Sequence, residues 1–243
     1  MSGSQTGIIM NIKDIKLNNS NDFIKTGEIS TDRFSSWLAR TRQAQKNGEA
    51  VDVPCGDCTA CCNSSYFIHI KSVETVTMAK IPGELMFPAP GMPKGNVLLG
   101  YDKKGRCPMF INSKCSIYDY RPETCRTYDC RIFTATGLLP GDDKALISRQ
   151  AGRWKFKFDS NDDLRALSAL RAAVQFITSY AGLFPAGFIP GNTPQQAMVA
   201  IKVYEVFLDM AGENETGMYL NPDKKIIKSV MDIYQRFERD KNS

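Results

Sequence analysis

Apolar positions fall into two regimes along this chain. Up to about residue 135 they come in short runs broken by turn residues; from Ser160 onward they recur at helical spacing. Residues 1–29 are polar, with Asn18-Asn19-Ser20-Asn21 as a loop signal, and read as a partly flexible arm. A helix is expected from Ser30 or Thr31, either of which can cap it. Phe34, Trp37, Leu38 and Thr41 then share one face, and Gly48 is a stop. Val51-Asp52-Val53-Pro54 runs extended, because Pro54 biases Val53 away from helix.

Next comes a series of small elements. Tyr66-Phe67-Ile68-His69-Ile70 reads as a strand, rich in aromatic and branched residues. Ser72 can cap a short helix to Ile81, with Val73, Val76 and Lys80 or Ile81 on one face. Pro82-Gly83 ends it. Pro82, Pro88, Pro90 and Pro93, with Gly83, Gly91 and Gly95, predict an irregular loop over 82–95. Asn96 to Asp102 reads as a strand, Lys103-Lys104-Gly105 as a turn, and Arg106 to Phe110 as a second strand. Asn112-Ser113-Lys114 turns again, and Pro122 takes the first position of a helical turn that carries Cys125.

The remainder is helical and free of cysteine. Ser160 and Asp163 have capping-box spacing, followed by a stripe of Leu164, Leu167, Leu170, Val174, Ile177 and Ala181. Thr193-Pro194-Gln195-Gln196 starts a second helix through Met198, Ile201, Tyr204 (or Glu205) and Leu208, which Gly212 can end. Asn221-Pro222 opens a third, through Ile226, Ile227, Val230, Ile233, Tyr234 and Phe237. The expected fold class is α+β. Short strands and irregular loops form a small cysteine-rich half over 51–135, packed against a C-terminal helical half over 160–240. The two make a single domain from 30 to 243.

Composition adds little. At 243 residues and 42% hydrophobic content the chain can bury a core without metal or disulfides to hold it together. The formal charge is +5 with every cysteine neutral. Eight thiolates holding two divalent ions would subtract four, leaving +1, so the basic balance does not point to nucleic acid. Gly7-Ile8-Ile9-Met10 is too short for a signal-peptide core, and no window reaches 18 apolar residues. A cytoplasmic, reducing location is expected, where clustered cysteines are ligands or redox groups more often than disulfides.

The eight cysteines carry the chemistry. Cys55, Cys58, Cys61 and Cys62 lie within eight residues; Cys107, Cys115, Cys125 and Cys130 form a looser set. Thiolates are soft ligands suited to zinc and to iron–sulfur clusters. A Cys-x-x-Cys loop aims two sulfurs at one ion, and structural zinc takes four in a tetrahedron. Cys55 pairs with Cys58, and Cys58 overlaps with Cys61. Cys62 is harder to place on the same ion, since adjacent side chains of a strand point to opposite faces. The knot therefore reads as part of a site completed by sulfurs from 107–130. Two four-thiolate sites, or one iron–sulfur cluster with further thiols, both fit the count.

The Cys55-x-x-Cys58-x-x-Cys61-Cys62 run resembles the CxxCxxCC signature of a zinc- or iron-chelating (YkgJ-like) cysteine-cluster family. Gly105-Arg106-Cys107-Pro108, Cys115-Ser116-Ile117-Tyr118 and Arg121-Pro122-Glu123-Thr124-Cys125-Arg126 with Cys130 are similar to the rest of that family's pattern. The resemblance covers about residues 55–132. It implies chelation of zinc or iron by all eight cysteines, and more weakly a relation to flagellin lysine N-methylases.

Other residues add candidates. His69, the one histidine, rules out a His-rich catalytic zinc site by counting. Arg121, Arg126 and Arg131 flank Cys125 and Cys130, where cations offset thiolate charge. Tyr118, Tyr120 and Tyr128 read as packing around the site. No G-x-G-x-x-G or phosphate loop is present, and the C-x₃-C-x₂-C arrangement of radical enzymes is absent. Three functions stay open: a metal-binding module, an iron–sulfur-dependent protein-modifying enzyme, and a thiol redox sensor. The expected partner is a protein or protein substrate, with neither nucleic acid nor membrane.

Overall fold

A computed structural model describes residues 28–47, 49, 51, 53, 58–208 and 222–241. In chain order the strands and helices are β1 (Ile29–Arg33), α1 (Phe34–Asn47), β2 (Ile68–Ile70), α2 (Thr75–Met78), β3 (Met86–Pro88) and β4 (Val97–Leu99). Then come β5 (Phe110–Ile111), β6 (Lys114–Cys115), α3 (Glu123–Thr127), α4 (Arg131–Thr136), α5 (Ala145–Ala151) and β7 (Trp154–Lys157). The helices α6 (Asn161–Ser179), α7 (Thr193–Val203) and α8 (Lys224–Lys241) complete the order. The fold is α+β, with a helical C-terminal region. No helix among the described residues is long and apolar enough to cross a membrane. Gly48, Gly212, Asn221, Asp52, Pro54 and the arm before residue 28 lie outside the described residues.

The chain forms two compact units. One takes residues up to Ala39, Arg131–Pro140, and the chain from Ala151 onward. Here β1 pairs in parallel with β7, Ile29 opposite Trp154, with an irregularity between Ser30 and Arg33. This corrects the helix expected from Ser30 or Thr31. The backbone of 29–33 finds ladder partners far away in sequence, and tertiary pairing overrides local capping residues. The helix begins at Phe34 instead, and its first turn is capped from a distance. Asp163 Oδ1 accepts the Ser35 N–H at 3.0 Å and the Ser35 hydroxyl at 2.5 Å. Phe34, Trp37, Leu38 and Thr41 are all buried, as their spacing predicts. Phe156 packs on Phe34 and Trp37 at centroid distances of 5.2 and 4.8 Å.

The same Asp163 closes the capping box of α6, taking the Ser160 N–H while Ser160 accepts from Asp163 N. The buried stripe of α6 runs through Ala166, Ala169, Leu170, Ala173, Val174 and Ile177. Leu164 and Ala181, expected in it, are exposed. Small residues let neighbouring helices approach closely, so alanines take positions that periodicity alone assigned to leucine. Helix α7 is capped by Asn192, whose side chain accepts from Gln195 N at 3.0 Å; Thr193 is already helical. Val230 and Phe237 are the buried residues of α8.

The other unit takes Arg40–Cys130 and Gly141–Gln150. Its main sheet is antiparallel in the order β2-β4-β3, with Ile68 and Met86 both opposite Leu99. The 82–95 loop thus contains an unexpected strand, β3. It is an edge strand, the one place in a sheet where Pro88 costs no ladder bond. Helix α2 is one turn, shorter than expected. Ser72 does not cap it: Glu74 accepts the Lys71 N–H at 2.8 Å, while Ser72 N–H goes to Asn96. Val73 and Val76 are exposed and Ile81 buried.

Ile70, Ile81, Leu99, Met109 and Ile117 make this unit's core, with Cys107 and Cys115 packed against it. The strand expected over 106–110 starts only at Phe110, because Cys107 O takes the Phe110 N–H at 2.9 Å in a turn. Asn112 and Ser113, at positive φ, close the β5–β6 hairpin. Pro122 stands one position outside α3, as its N-cap.

Candidate metal centre

The knot folds as a single tight turn. Residues Cys61–Asn63 are 3₁₀, Ala60 O accepts the Ser64 hydroxyl at 2.6 Å, and Thr59 O accepts Asn63 Nδ2 at 2.9 Å. A 3₁₀ turn rotates successive side chains by about 120°. Cys61 and Cys62 therefore diverge, and their neighbours differ accordingly.

Cys62 faces the second cysteine segment. Its carbonyl accepts the Cys107 N–H at 2.8 Å, joining the two segments directly. Next to that junction Ser65 N–H meets Gly105 O at 2.9 Å. Gly105 has φ +75, and a Cβ there would stand 2.2 Å from Ser65 Oγ, so only glycine permits this approach. Burial pushes the Cys62 thiol up to about 11, and thiolates at Cys107, Cys115 and Cys58 add to the shift. Burial pushes Cys125, on α3, up to about 12, again reinforced by Cys107, Cys62 and Cys115. Arg121 opposes both shifts. Burial also raises Cys107, against amide hydrogen bonds from Met109 and Phe110 that favour its thiolate. Cys62, Cys107, Cys115 and Cys125 are thus one electrostatic neighbourhood, drawn from a turn, a loop, a hairpin strand and a helix.

Cys58, Cys61 and Cys130 belong to another place. With Val53, Ala60, Tyr128, Ile147 and Gln150 they line a cavity of about 40 Å³. Cys130 is buried and Cys61 exposed. Burial raises the Tyr66 and Tyr128 hydroxyls above their ordinary range, and both feel the charges of Cys61 and Cys130. Cys55, which pairs with Cys58 in the sequence, lies outside the described residues. Among the described residues no three histidine, cysteine, aspartate or glutamate side chains form a ready-made ligand set. Soft thiols held in two buried neighbourhoods nonetheless suit a soft divalent ion in chemistry and number.

The three arginines part company. Arg121 stacks 3.6 Å from the Tyr118 ring, gives its Nε–H to Tyr118 O, and acts on Cys62 and Cys125. Arg126 stands 3.9 Å from Glu74. Arg131 is buried with Thr31 and Asp32 at 3.2 and 3.7 Å and faces the Trp154 ring. Tyr118 and Tyr120 are exposed; Tyr128 is the tyrosine at the cavity. His69 lies on β2 opposite Leu98, and its Nε2 is buried without a hydrogen-bond partner. Tyr66 and Lys144 escaped notice in the sequence, since neither sits in a motif.

Residues 54–146 match the CxxCxxCC family model, described as a "putative zinc- or iron-chelating domain". The segment belongs to the CxxCxxCC family. Its span takes in both cysteine groups and Lys144. No curated protein and no solved structure matches the chain.

Proposed function

We propose that this chain chelates zinc or iron through two groups of four thiolates. Cys62, Cys107, Cys115 and Cys125 form one, and Cys58, Cys61 and Cys130 with Cys55 form the other. The observation that carries the reading is the mutual electrostatic effect of Cys62, Cys107, Cys115 and Cys125 in a buried setting. Four buried thiols that raise one another resist ionisation alone, and a divalent cation at their centre reverses that cost. The CxxCxxCC assignment supports it, as does the divergence of Cys61 and Cys62 on one 3₁₀ turn. Cys55 joins the second group through the Cys-x-x-Cys spacing to Cys58.

Each group's residues have a distinct task. Amides of Met109 and Phe110 favour the Cys107 thiolate, and Arg121 offsets the excess negative charge of its group. The ion would supply cross-linking between segments distant in the chain, and Lewis acidity if a ligand position opened. The test is metal and acid-labile sulfide content of anaerobically purified protein. Two equivalents of zinc or iron without sulfide fit the reading. Iron with stoichiometric sulfide moves it to an iron–sulfur cluster. All eight thiols free and reactive, with no metal, overturn it.

A further inference from the structure

We propose that Tyr128 donates a hydrogen bond to a thiolate of the Cys58–Cys61–Cys130 group, positioned for this by Tyr66 and Lys144. The inference rests on the reading that this group holds a metal. Tyr128 lines the same small cavity as the three thiols. Its hydroxyl stands 3.4 Å from that of Tyr66. That is long for a hydroxyl pair, whose usual separation is about 2.7–2.8 Å, so the Tyr128 proton is not committed to Tyr66. A thiolate is the stronger acceptor on offer.

The support behind Tyr128 is built from buried parts. The two rings lie 5.8 Å apart, tilted at 56°. Lys144, itself buried, holds its ammonium 4.7 Å from the centre of the Tyr66 ring. The ammonium pairs with Asp143 at 2.6 Å and reaches Ser65 O at 3.4 Å. A cation on the ring face pins Tyr66, and Tyr66 backs Tyr128. Four thiolates around one divalent ion leave two surplus negative charges, which a phenol O–H disperses. Outer-shell partners of this kind are worth about 10–100-fold in metal affinity.

The test uses the full chain loaded with cobalt(II). Tyr128→Phe should bind as many ions as the wild type, shift the thiolate-to-cobalt charge-transfer band to lower energy, and lose metal to a chelator about 10-fold faster. Tyr66→Phe should act in the same direction, less strongly. Tyr120→Phe, at an exposed tyrosine, should change neither readout. A wild-type band and release rate in Tyr128→Phe would overturn the proposal. If that variant does not fold, the same result in Tyr66→Phe overturns it. A wild-type chain that takes up no cobalt overturns the metal reading itself, which is a different outcome from normal uptake with indifferent variants.

Discussion

The Asp163 carboxylate receives both the backbone N–H and the hydroxyl of Ser35, at 3.0 and 2.5 Å. One side chain thereby caps α1 in trans and α6 in cis, and Arg33 adds a contact at 3.2 Å. Asp163→Asn keeps one acceptor oxygen and should cost about 2–3 kcal/mol of stability, as loss of charged hydrogen bonds does. Denaturant unfolding measures it. A loss within error would mean the caps are redundant.

The same group gives a pH dependence. Hydrogen bonding from Ser35, ahead of its other donors, holds the Asp163 carboxyl well below the usual range, against the opposing effect of burial. Its folded value is depressed, so its stabilisation is present above the unfolded value of about 4 and lost as pH falls below it. The gap in melting temperature between wild type and Asp163→Asn should be flat near neutrality and shrink below about pH 4. A gap that widens on acidification would contradict this.

Cys125→Ser and Cys62→Ser should each lower metal content by about one ion per chain, because each removes a ligand from a four-sulfur site. Cys58→Ser should remove the other ion. Elemental analysis of the purified variants decides it. If Cys62→Ser and Cys58→Ser affect the same ion, the division into two groups is wrong.

Metal uptake should release protons. Burial, aided by neighbouring thiolates, places Cys62 at about 11 and Cys125 at about 12, so both are protonated at neutral pH without metal. Binding must displace a proton from each, and affinity should fall as pH is lowered. Calorimetric titration of the metal-free chain in buffers of different ionisation enthalpy counts those protons. Uptake without release would mean that these thiols are not ligands.

Gly105→Ala places a methyl against Ser65 Oγ on backbone at φ +75. A cost of about 1–3 kcal/mol is expected, with weaker metal retention, since this contact adjoins the Cys62–Cys107 junction. Adding Ser65→Gly should recover the steric part and leave the conformational part. Thermal melts of the single and double variants separate the two.

Much of this protein is written locally. The cysteine spacing announces soft-metal chemistry because ligand type and Cys-x-x-Cys geometry are properties of a few adjacent residues. The capping box at Ser160 and the buried face of Phe34, Trp37, Leu38 and Thr41 are local for the same reason. Tertiary structure alone decided the rest. The strand Ile29–Arg33 exists because Trp154–Lys157 supplies its ladder, and β3 because an edge tolerates Pro88. Leu164 yields its buried place to alanines because neighbouring helices approach closely. Above all, Cys61 and Cys62 are one residue apart in the sequence and belong to different neighbourhoods. A 3₁₀ turn separates them, and the partners that give each its meaning arrive from residues 107–130.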